Sequence, residues 1–239
     1  MLNIIIVIPA RWASSRLPGK PLIKIKNIPM IARTYNQCSK VFSKDKIIVA
    51  TDDKKIKKFC EKSKIKLVMT SKSCLTGTDR VAEVARKIRA DIYINVQGDE
   101  PFFNPSDLKK LIKCVKKNPT KIYNGYTKIE SEKMFKDPSI PKVVFNKKEE
   151  LMYMSRGKIP SNKRLKFKQA WRQVCAYAFP RKILLEFKKN KKTELEYQED
   201  IEILRFLELG KRVQMVKMSD KSISIDTKKD LILANKILK

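Results

Sequence analysis

Asn3-Ile-Ile-Ile-Val-Ile8, running directly into Pro9-Ala-Arg-Trp-Ala-Ser-Ser-Arg-Leu-Pro-Gly-Lys-Pro21, is the stretch on which the fold turns. Its first part is a continuous β-branched run after Asn3, which suits a strand buried on both faces, as in parallel sheets. Its second part is polar, basic and glycine-containing, and a loop at the carboxyl end of a parallel strand is where open α/β sheets bind ligands. Within thirteen residues it supplies the cations Arg11, Arg16 and Lys20, the hydroxyls Ser14 and Ser15, and Gly19 for a backbone turn. A polyphosphate needs several positive donors together with backbone that can approach closely. The loop is not a Walker P-loop, which would need a glycine where Ser14 or Ser15 stands and a hydroxyl in place of Pro21. The competing interpretation of the same residues is a solvated basic loop.

Outward from this stretch the chain alternates. A helix is expected over Pro29 to Phe42, a strand over Lys46 to Ala50, a helix over Asp53 to Ser63 and a strand over Lys66 to Met69. Thr78 or Asp79 is expected to cap a helix carrying Val81, Ala82, Val84, Ala85 and Ile88. A strand over Asp91 to Val96 then leads through Gln97-Gly98-Asp99-Glu100-Pro101 into a helix over Pro105 to Lys117. Strict alternation of this kind predicts an α/β fold with an open, mostly parallel, Rossmann-like sheet and right-handed crossovers.

The second half is less regular. Strands are expected at Lys142 to Phe145, Leu151 to Met154, Val174 to Phe179 and Val213 to Met218. Helices are expected at Pro180 to Lys188, at Tyr197 to Leu209 with Gly210 as the C-terminal cap, and from near Thr227. With no internal repeat and no low-complexity linker, a single domain with a smaller irregular subdomain is expected.

Composition excludes more than it assigns. The 239 residues include no histidine, so Ser-His-Asp and Cys-His nucleophilic sites, His-ligated zinc and His-held haem are closed to this chain alone. Chemistry is left to carboxylates, amines, hydroxyls, backbone amides or a hard metal ion. The formal net charge is +30, carried by 43 Lys and 12 Arg. A nucleic-acid-binding protein would concentrate such charge on one face between stacking aromatics. Here Lys recurs on the polar side of nearly every helix pattern, which argues against a specific nucleic-acid partner. Five cysteines without a CxxC pair argue against a disulfide framework or zinc knuckle and for a reducing cytoplasm. The N-terminal apolar run is stopped by Pro9 after a strand's length, too short for a signal or membrane span, so a soluble, unprocessed protein is expected.

Three further groups carry possible chemistry. Asp99 and Glu100 end a strand, a suitable place for Mg²⁺, which takes one or two carboxylates plus water and phosphate oxygens, and Gly98 permits close backbone approach. A helix-leading turn accounts for the same residues equally well. Near the C-terminus, Thr227 and Asp230 have capping-box spacing, which leaves Asp226 free to act as a second metal ligand; a simple N-cap is the alternative for it. Finally Gln173, Cys175 and Tyr177 alternate with Val174, Ala176 and Ala178, so one face of that strand either lines a pocket or meets water.

Taken together, the segments Ile8 to Pro21, Ile48-Val-Ala-Thr-Asp52, Thr76-Gly-Thr-Asp-Arg-Val-Ala-Glu83, Asn95-Val-Gln-Gly-Asp-Glu-Pro101 and Asp226-Thr227 resemble the CMP-sugar synthetases, most closely the 3-deoxy-manno-octulosonate (Kdo) cytidylyltransferase family. The resemblance implies the nucleotide-diphospho-sugar transferase type of fold. It also implies Mg²⁺-dependent transfer of CMP from CTP to the anomeric hydroxyl of an acidic ketosugar, with release of pyrophosphate, for lipopolysaccharide or surface-polysaccharide synthesis. It divides residues 1–239 into a nucleotide-binding half, 1–117, a sugar-binding and dimerising part, 118–225, and a C-terminal helix, 226–239, with a homodimer as the assembly. Carried over, Arg11, Arg16 and Lys20 hold the triphosphate. Pro9, Ala10, Ser14, Ser15, Gly77 and Arg80 surround the nucleotide, and Asp99 and Asp226 bind Mg²⁺, acting with Lys20 as the catalytic set. Gln97, Arg156, Gln173, Tyr177, Glu196 and Glu199 form the sugar pocket, with Arg156 facing a sugar carboxylate.

Two departures stand out. Gln173 occupies a position where the family usually has a histidine, and Leu195-Glu-Tyr-Gln-Glu199 lacks the histidine of a Leu-Glu-His-Ile-Glu segment. These predict retained CTP use with a modified Kdo-like sugar, for instance an amino-substituted one. Related activities on the same fold, an acylneuraminate cytidylyltransferase or a sugar-1-phosphate nucleotidylyltransferase, fit the Asn95 to Pro101 and Asp226-Thr227 segments less well.

Overall fold

The computed structural model describes residues 2–13, 17–220, 225 and 227–237. The β-branched run forms β1 (Ile4–Ala10), buried along its whole length. Because side chains alternate across a strand, Ile4, Ile6 and Ile8 enter one apolar core and Ile5 and Val7 the other. That is why this segment reads as continuously hydrophobic rather than alternating.

After β1 come β2 (Lys24–Ile25) and β3 (Ile28–Pro29), which form a small hairpin, then α1 (Met30–Ser39), β4 (Ile47–Thr51), α2 (Lys54–Lys62), β5 (Leu67–Met69), α3 (Gly77–Lys87), β6 (Ile92–Val96) and α4 (Pro105–Lys117). β1 pairs in parallel with both β4 and β6, and β5 pairs in parallel with β4. Local chemistry sets the helix starts. Asp53 accepts hydrogen bonds from Lys55 N and Ile56 N ahead of α2, and Asn104 accepts one from Ser106 N ahead of α4. At α3 the cap is Thr76, rather than Thr78 or Asp79, because Thr76 and Asp79 form a reciprocal capping box one turn earlier than the apolar stripe suggests.

The remaining elements are β7 (Ile122–Lys128), α5 (Glu132–Lys136), β8 (Lys142–Phe145), β9 (Leu151–Ser155), β10 (Trp171–Pro180), α6 (Arg181–Lys189), α7 (Glu194–Glu199), α8 (Ile203–Glu208), β11 (Val213–Lys217) and α9 (Lys228–Ile237). The path through the main sheet is β11-β7-β10-β6-β1-β4-β5, with β8 and β9 attached alongside β10. β10 runs antiparallel to both β6 and β7, and β11 resumes the parallel direction against β7. The two apolar cores lie on opposite faces of this sheet, with α1, α2 and α4 contributing to one and α3, α6 and α8 to the other.

Two parts differ from the sequence expectation. β7 is a buried strand that was not anticipated, because Asn124 and Gly125 interrupt its apolar pattern. Asn124 is fully buried and donates to the carbonyls of Val174 and Ala176, at 3.1 Å each, where β10 shifts register against β7. The expected helix over Tyr197 to Leu209 is two helices, broken where Asp200 adopts a left-handed conformation with φ 50° and ψ 46°. Gly210, with φ 70°, follows the second of them.

Candidate active site

A cavity of about 310 Å³ opens at the carboxyl edge of β1 and β6 and is closed on its far side by β10 and α7. From the first half it takes Pro9, Ala10, Arg11, Lys20, Gly77 and Arg80. Gln97, Gly98 and Asp99 come from the end of β6, and Arg156, Gln173, Cys175, Tyr177 and Glu196 from the second half. The polar face of β10 therefore lines a pocket.

The loop after β1 is folded back by a left-handed Gly19, whose amide donates to Trp12 O and which places Lys20 at the start of a 3₁₀ turn over Lys20–Leu22. Lys20 is nearly buried, and its Nζ lies 2.6 Å from Asp99 Oδ2. This pair joins the cationic loop to the carboxylate at the end of β6. Gly98 lets the two segments approach: a Cβ there would stand 2.8 Å from Pro9 O. Thr34 Oγ1 also donates to Gly98 O, which ties the turn to α1.

Arg80 lies on the first turns of α3, 3% exposed. It donates to Asp52 Oδ2 at 2.9 Å and to Thr70 Oγ1 at 2.7 Å, so it is fixed beside β4 rather than swinging in solvent. Gly77 sits against the amide of Gln97, whose Nε2 donates to Glu202 Oε1 at 3.0 Å. Glu202 also accepts from Thr78 N at 2.6 Å, and enclosure by the cavity walls raises its carboxyl above the ordinary range. Sequence reading missed Glu202, because it was placed inside a continuous helix; the break at Asp200 turns it toward α3.

On the sugar side named above, Tyr177 is buried and its hydroxyl is pushed well above its usual pKa by desolvation. Gln173 Nε2 donates to Asn124 Oδ1 at 3.0 Å. Glu196 borders the cavity, but both its oxygens are held by buried Arg205, at 2.6 and 2.8 Å. Glu199 is not among the cavity's lining residues. Burial alone would raise its carboxyl, yet bonds from Ser155, the Arg156 amide and Tyr153 hold it below the usual range. It braces the segment carrying Arg156 instead of facing a ligand. Tyr197, the second departure from the family pattern, is 77% exposed and also lies outside the lining. Lys192, Asp200 and Ser139 line the cavity without having been singled out.

Ser14, Ser15, Arg16 and Asp226 lie outside the described residues. Among the described residues no three acidic, Cys or His side chains cluster as a metal site. Asp99 nevertheless offers one hard carboxylate to the cavity, and the Ile225 amide donates to Asp99 O at 3.1 Å. One such carboxylate fits Mg²⁺, which takes one or two carboxylates when phosphates and water supply the other oxygens.

The cationic turn at the carboxyl edge of β1, faced by a carboxylate after the neighbouring β6, stands at the point where the strand order reverses, the place where open α/β sheets bind ligands. The family model for Cytidylyltransferase matches residues 5–213. The 3-deoxy-manno-octulosonate cytidylyltransferase of Protochlamydia amoebophila is 35% identical over 237 residues, covering 96% of this chain and 92% of that protein. The enzyme of the same name from Escherichia coli is 34% identical, covering 95% and 92%. A solved structure of CMP:2-keto-3-deoxy-manno-octonic acid synthetase complexed with CTP superposes with a TM-score of 0.91 at 33% identity, covering 99% of this chain and 98% of that one. A 4-diphosphocytidyl-2C-methyl-D-erythritol synthase from Anaerococcus prevotii, at 18% identity and a TM-score of 0.67, shares the fold alone. The chain belongs to the 3-deoxy-manno-octulosonate cytidylyltransferase family.

Proposed function

We propose that the chain transfers CMP from CTP to the anomeric hydroxyl of 3-deoxy-manno-octulosonate or a close ketosugar acid, releasing pyrophosphate. The observation that carries this is the Lys20–Asp99 contact, which sets a cationic loop and a carboxylate on one cavity wall, opposite the polar face of β10. In this reading Arg11 and Lys20, with Arg16, neutralise the triphosphate, while Pro9, Ala10, Ser14, Ser15, Gly77 and Arg80 enclose the nucleotide. Gln97, held by Glu202, and Tyr177 orient the sugar. Nucleotidyl transfer asks mainly for alignment and charge neutralisation, so a chain without histidine is equipped for it.

Asp99 and Asp226 are the proposed Mg²⁺ ligands; when bound, the ion would add positive charge at the phosphates and lower the pKa of the attacking hydroxyl. Lys20 balances Asp99 at 2.6 Å, and in this reading it exchanges that partner for a phosphate oxygen when CTP binds. The chain is further proposed to work in the cytoplasm as a homodimer built partly by residues 118–225, a part that exposes Met152 and Leu165. No helix among the described residues is long and apolar enough to cross a membrane.

A modified sugar is proposed as the preferred acceptor, supported by Gln173, which lines the cavity and is tied through Asn124 to the β10 register shift. A site built to hydrogen-bond one substituent rejects an analogue lacking it. The deciding experiment is pyrophosphate release from CTP against a panel of ketosugar acids. No release with any of them refutes the activity, and equal rates with Kdo and an amino-substituted Kdo refute the modified-sugar preference.

A further inference from the structure

Three charged groups meet on the sugar side of the cavity at the break between α7 and α8. Asp200 stands there in a left-handed conformation, which an Asp tolerates, with its side chain 79% exposed. Lys192 Nζ lies 3.2 Å from its Oδ1, and Arg156 Nη2 lies 3.9 Å from its Oδ2. One carboxylate thus spans two cations, and all three residues line the cavity.

The two cations are held differently. Arg156 is built in: Nε, Nη1 and Nη2 donate to the carbonyls of Glu199, Pro138 and Asp200 at 2.6, 3.0 and 3.0 Å. Three of its five N–H donors are committed to backbone, so its position is fixed while donors remain. Lys192 is a point charge on a flexible stem, lying 5.4 Å over the exposed Tyr197 ring and bonded to Asp200. The contact from Asp200 is water-exposed, so screening and side-chain entropy leave it weak. A carboxylate carried into the cavity by a bound ligand meets the same two cations with less competing water.

We propose that Arg156 and Lys192 form the seat for the carboxylate of the acidic sugar, and that Asp200 occupies this seat until the sugar displaces it. The proposal rests on the acidic-ketosugar reading above and adds to it a second cation and an internal competitor. It makes opposite predictions for two neighbouring side chains. Removing Lys192 weakens sugar binding, whereas neutralising Asp200 strengthens it.

The test is steady-state pyrophosphate release at saturating CTP with 3-deoxy-manno-octulosonate varied, together with direct calorimetric binding of that sugar and of its uncharged methyl ester. Lys192→Met should raise the sugar KM about tenfold or more, the worth of a charge-assisted hydrogen bond, and should shrink the preference for acid over ester. Asp200→Asn, which keeps a residue tolerant of the left-handed conformation, should lower the sugar KM about two- to fivefold, the worth of an exposed ion pair. The KM for CTP should move less than about twofold in either variant, whereas general damage to the fold would shift both substrates. An unshifted sugar KM in Lys192→Met, or a raised one in Asp200→Asn, overturns the seat while leaving the activity standing. Failure of the unsubstituted chain to bind or turn over the sugar overturns the activity reading and the seat with it.

Discussion

Replacing Arg205 by Met isolates the buried brace behind the cavity. Arg205 is 2% exposed, and it donates from Nε and Nη2 to the two oxygens of Glu196 at 2.6 and 2.8 Å. Its Nη1 donates to the carbonyls of Phe187 and Asn190 and lies 3.5 Å from Asp79, and its Cζ lies 3.7 Å from the centroid of the Phe187 ring. Glu196 is fully buried, so the Met variant would leave a carboxylate without its counter-ion in a low-dielectric interior. Breaking one side of a buried ion pair costs about 3–5 kcal/mol. For a chain of this size each kcal/mol corresponds to about 2–4 °C, so the melting temperature should fall by about 6–20 °C. The assay is urea and thermal unfolding of four proteins: unsubstituted, Arg205→Met, Glu196→Gln and the double variant. Because Gln carries no charge and still offers an oxygen to the Thr193 amide, the double variant should recover at least about 1 kcal/mol relative to the sum of the single losses. Additive effects, or a loss below about 1 kcal/mol in Arg205→Met, would refute the idea that Glu196 is structural and return it to the set of sugar ligands.

Three other outcomes follow from the same geometry. Asp99→Asn should keep the fold, since its carboxylate is partly exposed, and should abolish most Mg²⁺-dependent pyrophosphate release; full activity would place the metal elsewhere. Gly98→Ala sets a Cβ 2.8 Å from Pro9 O, so it should push the loop after β1 away and raise the KM for CTP at least about tenfold, with a wild-type KM counting against the close-approach argument. Glu83 is a carboxylate for which burial works upward, but bonds from the Ser71 amide, Lys87 and Cys74 outweigh burial and hold it at about 2. A depressed carboxylate contributes stability above its unfolded pKa of 4.5, and that contribution is lost as the pH falls toward about 2. Glu83→Gln should therefore flatten the acid limb of stability between these values, and an unchanged limb in urea unfolding at stepped pH would show that Glu83 carries none of it.

What could be read from sequence divides along physical lines. β1, β4, β6 and their helices were legible because each buries a face against its chain neighbours, so period and capping residues report the element directly. The loop from Pro9 to Pro21 stands out in the sequence because its cations, hydroxyls and glycine fall within one short stretch, and Pro9, Ala10, Arg11, Lys20 and Pro21 of it line the cavity, while Ser14, Ser15 and Arg16 lie outside the described residues. β7 was not, because its buried Asn124 satisfies carbonyls of β10, a strand some fifty residues away in sequence. Nor was the split between α7 and α8. Nothing in Glu199-Asp200-Ile201 forbids helix, and at the break the carbonyls of Glu199 and Asp200 are taken by Arg156, from a distant strand end, instead of by helix amides. Long-range hydrogen bonds of this kind override local propensity, and no window of sequence contains them.

The acidic residues around the break at Asp200 take different roles at the cavity. Glu196 and Glu199 both lie in α7, one turn apart and ahead of the break, yet they serve different partners. Glu199 accepts from Ser155 and the Arg156 amide, Glu196 accepts from Arg205, and beyond the break Glu202 lies against Thr78 and Gln97. Two carboxylates are supports, and a third, with its carboxyl raised by enclosure, borders the cavity beside the end of β6. The same backbone turn exposes the Asp200 side chain between Lys192 and Arg156. Four neighbouring acids thus divide into two supports within α7, one enclosed wall residue beyond the break and one solvent-facing competitor for the cation pair at the left-handed residue itself.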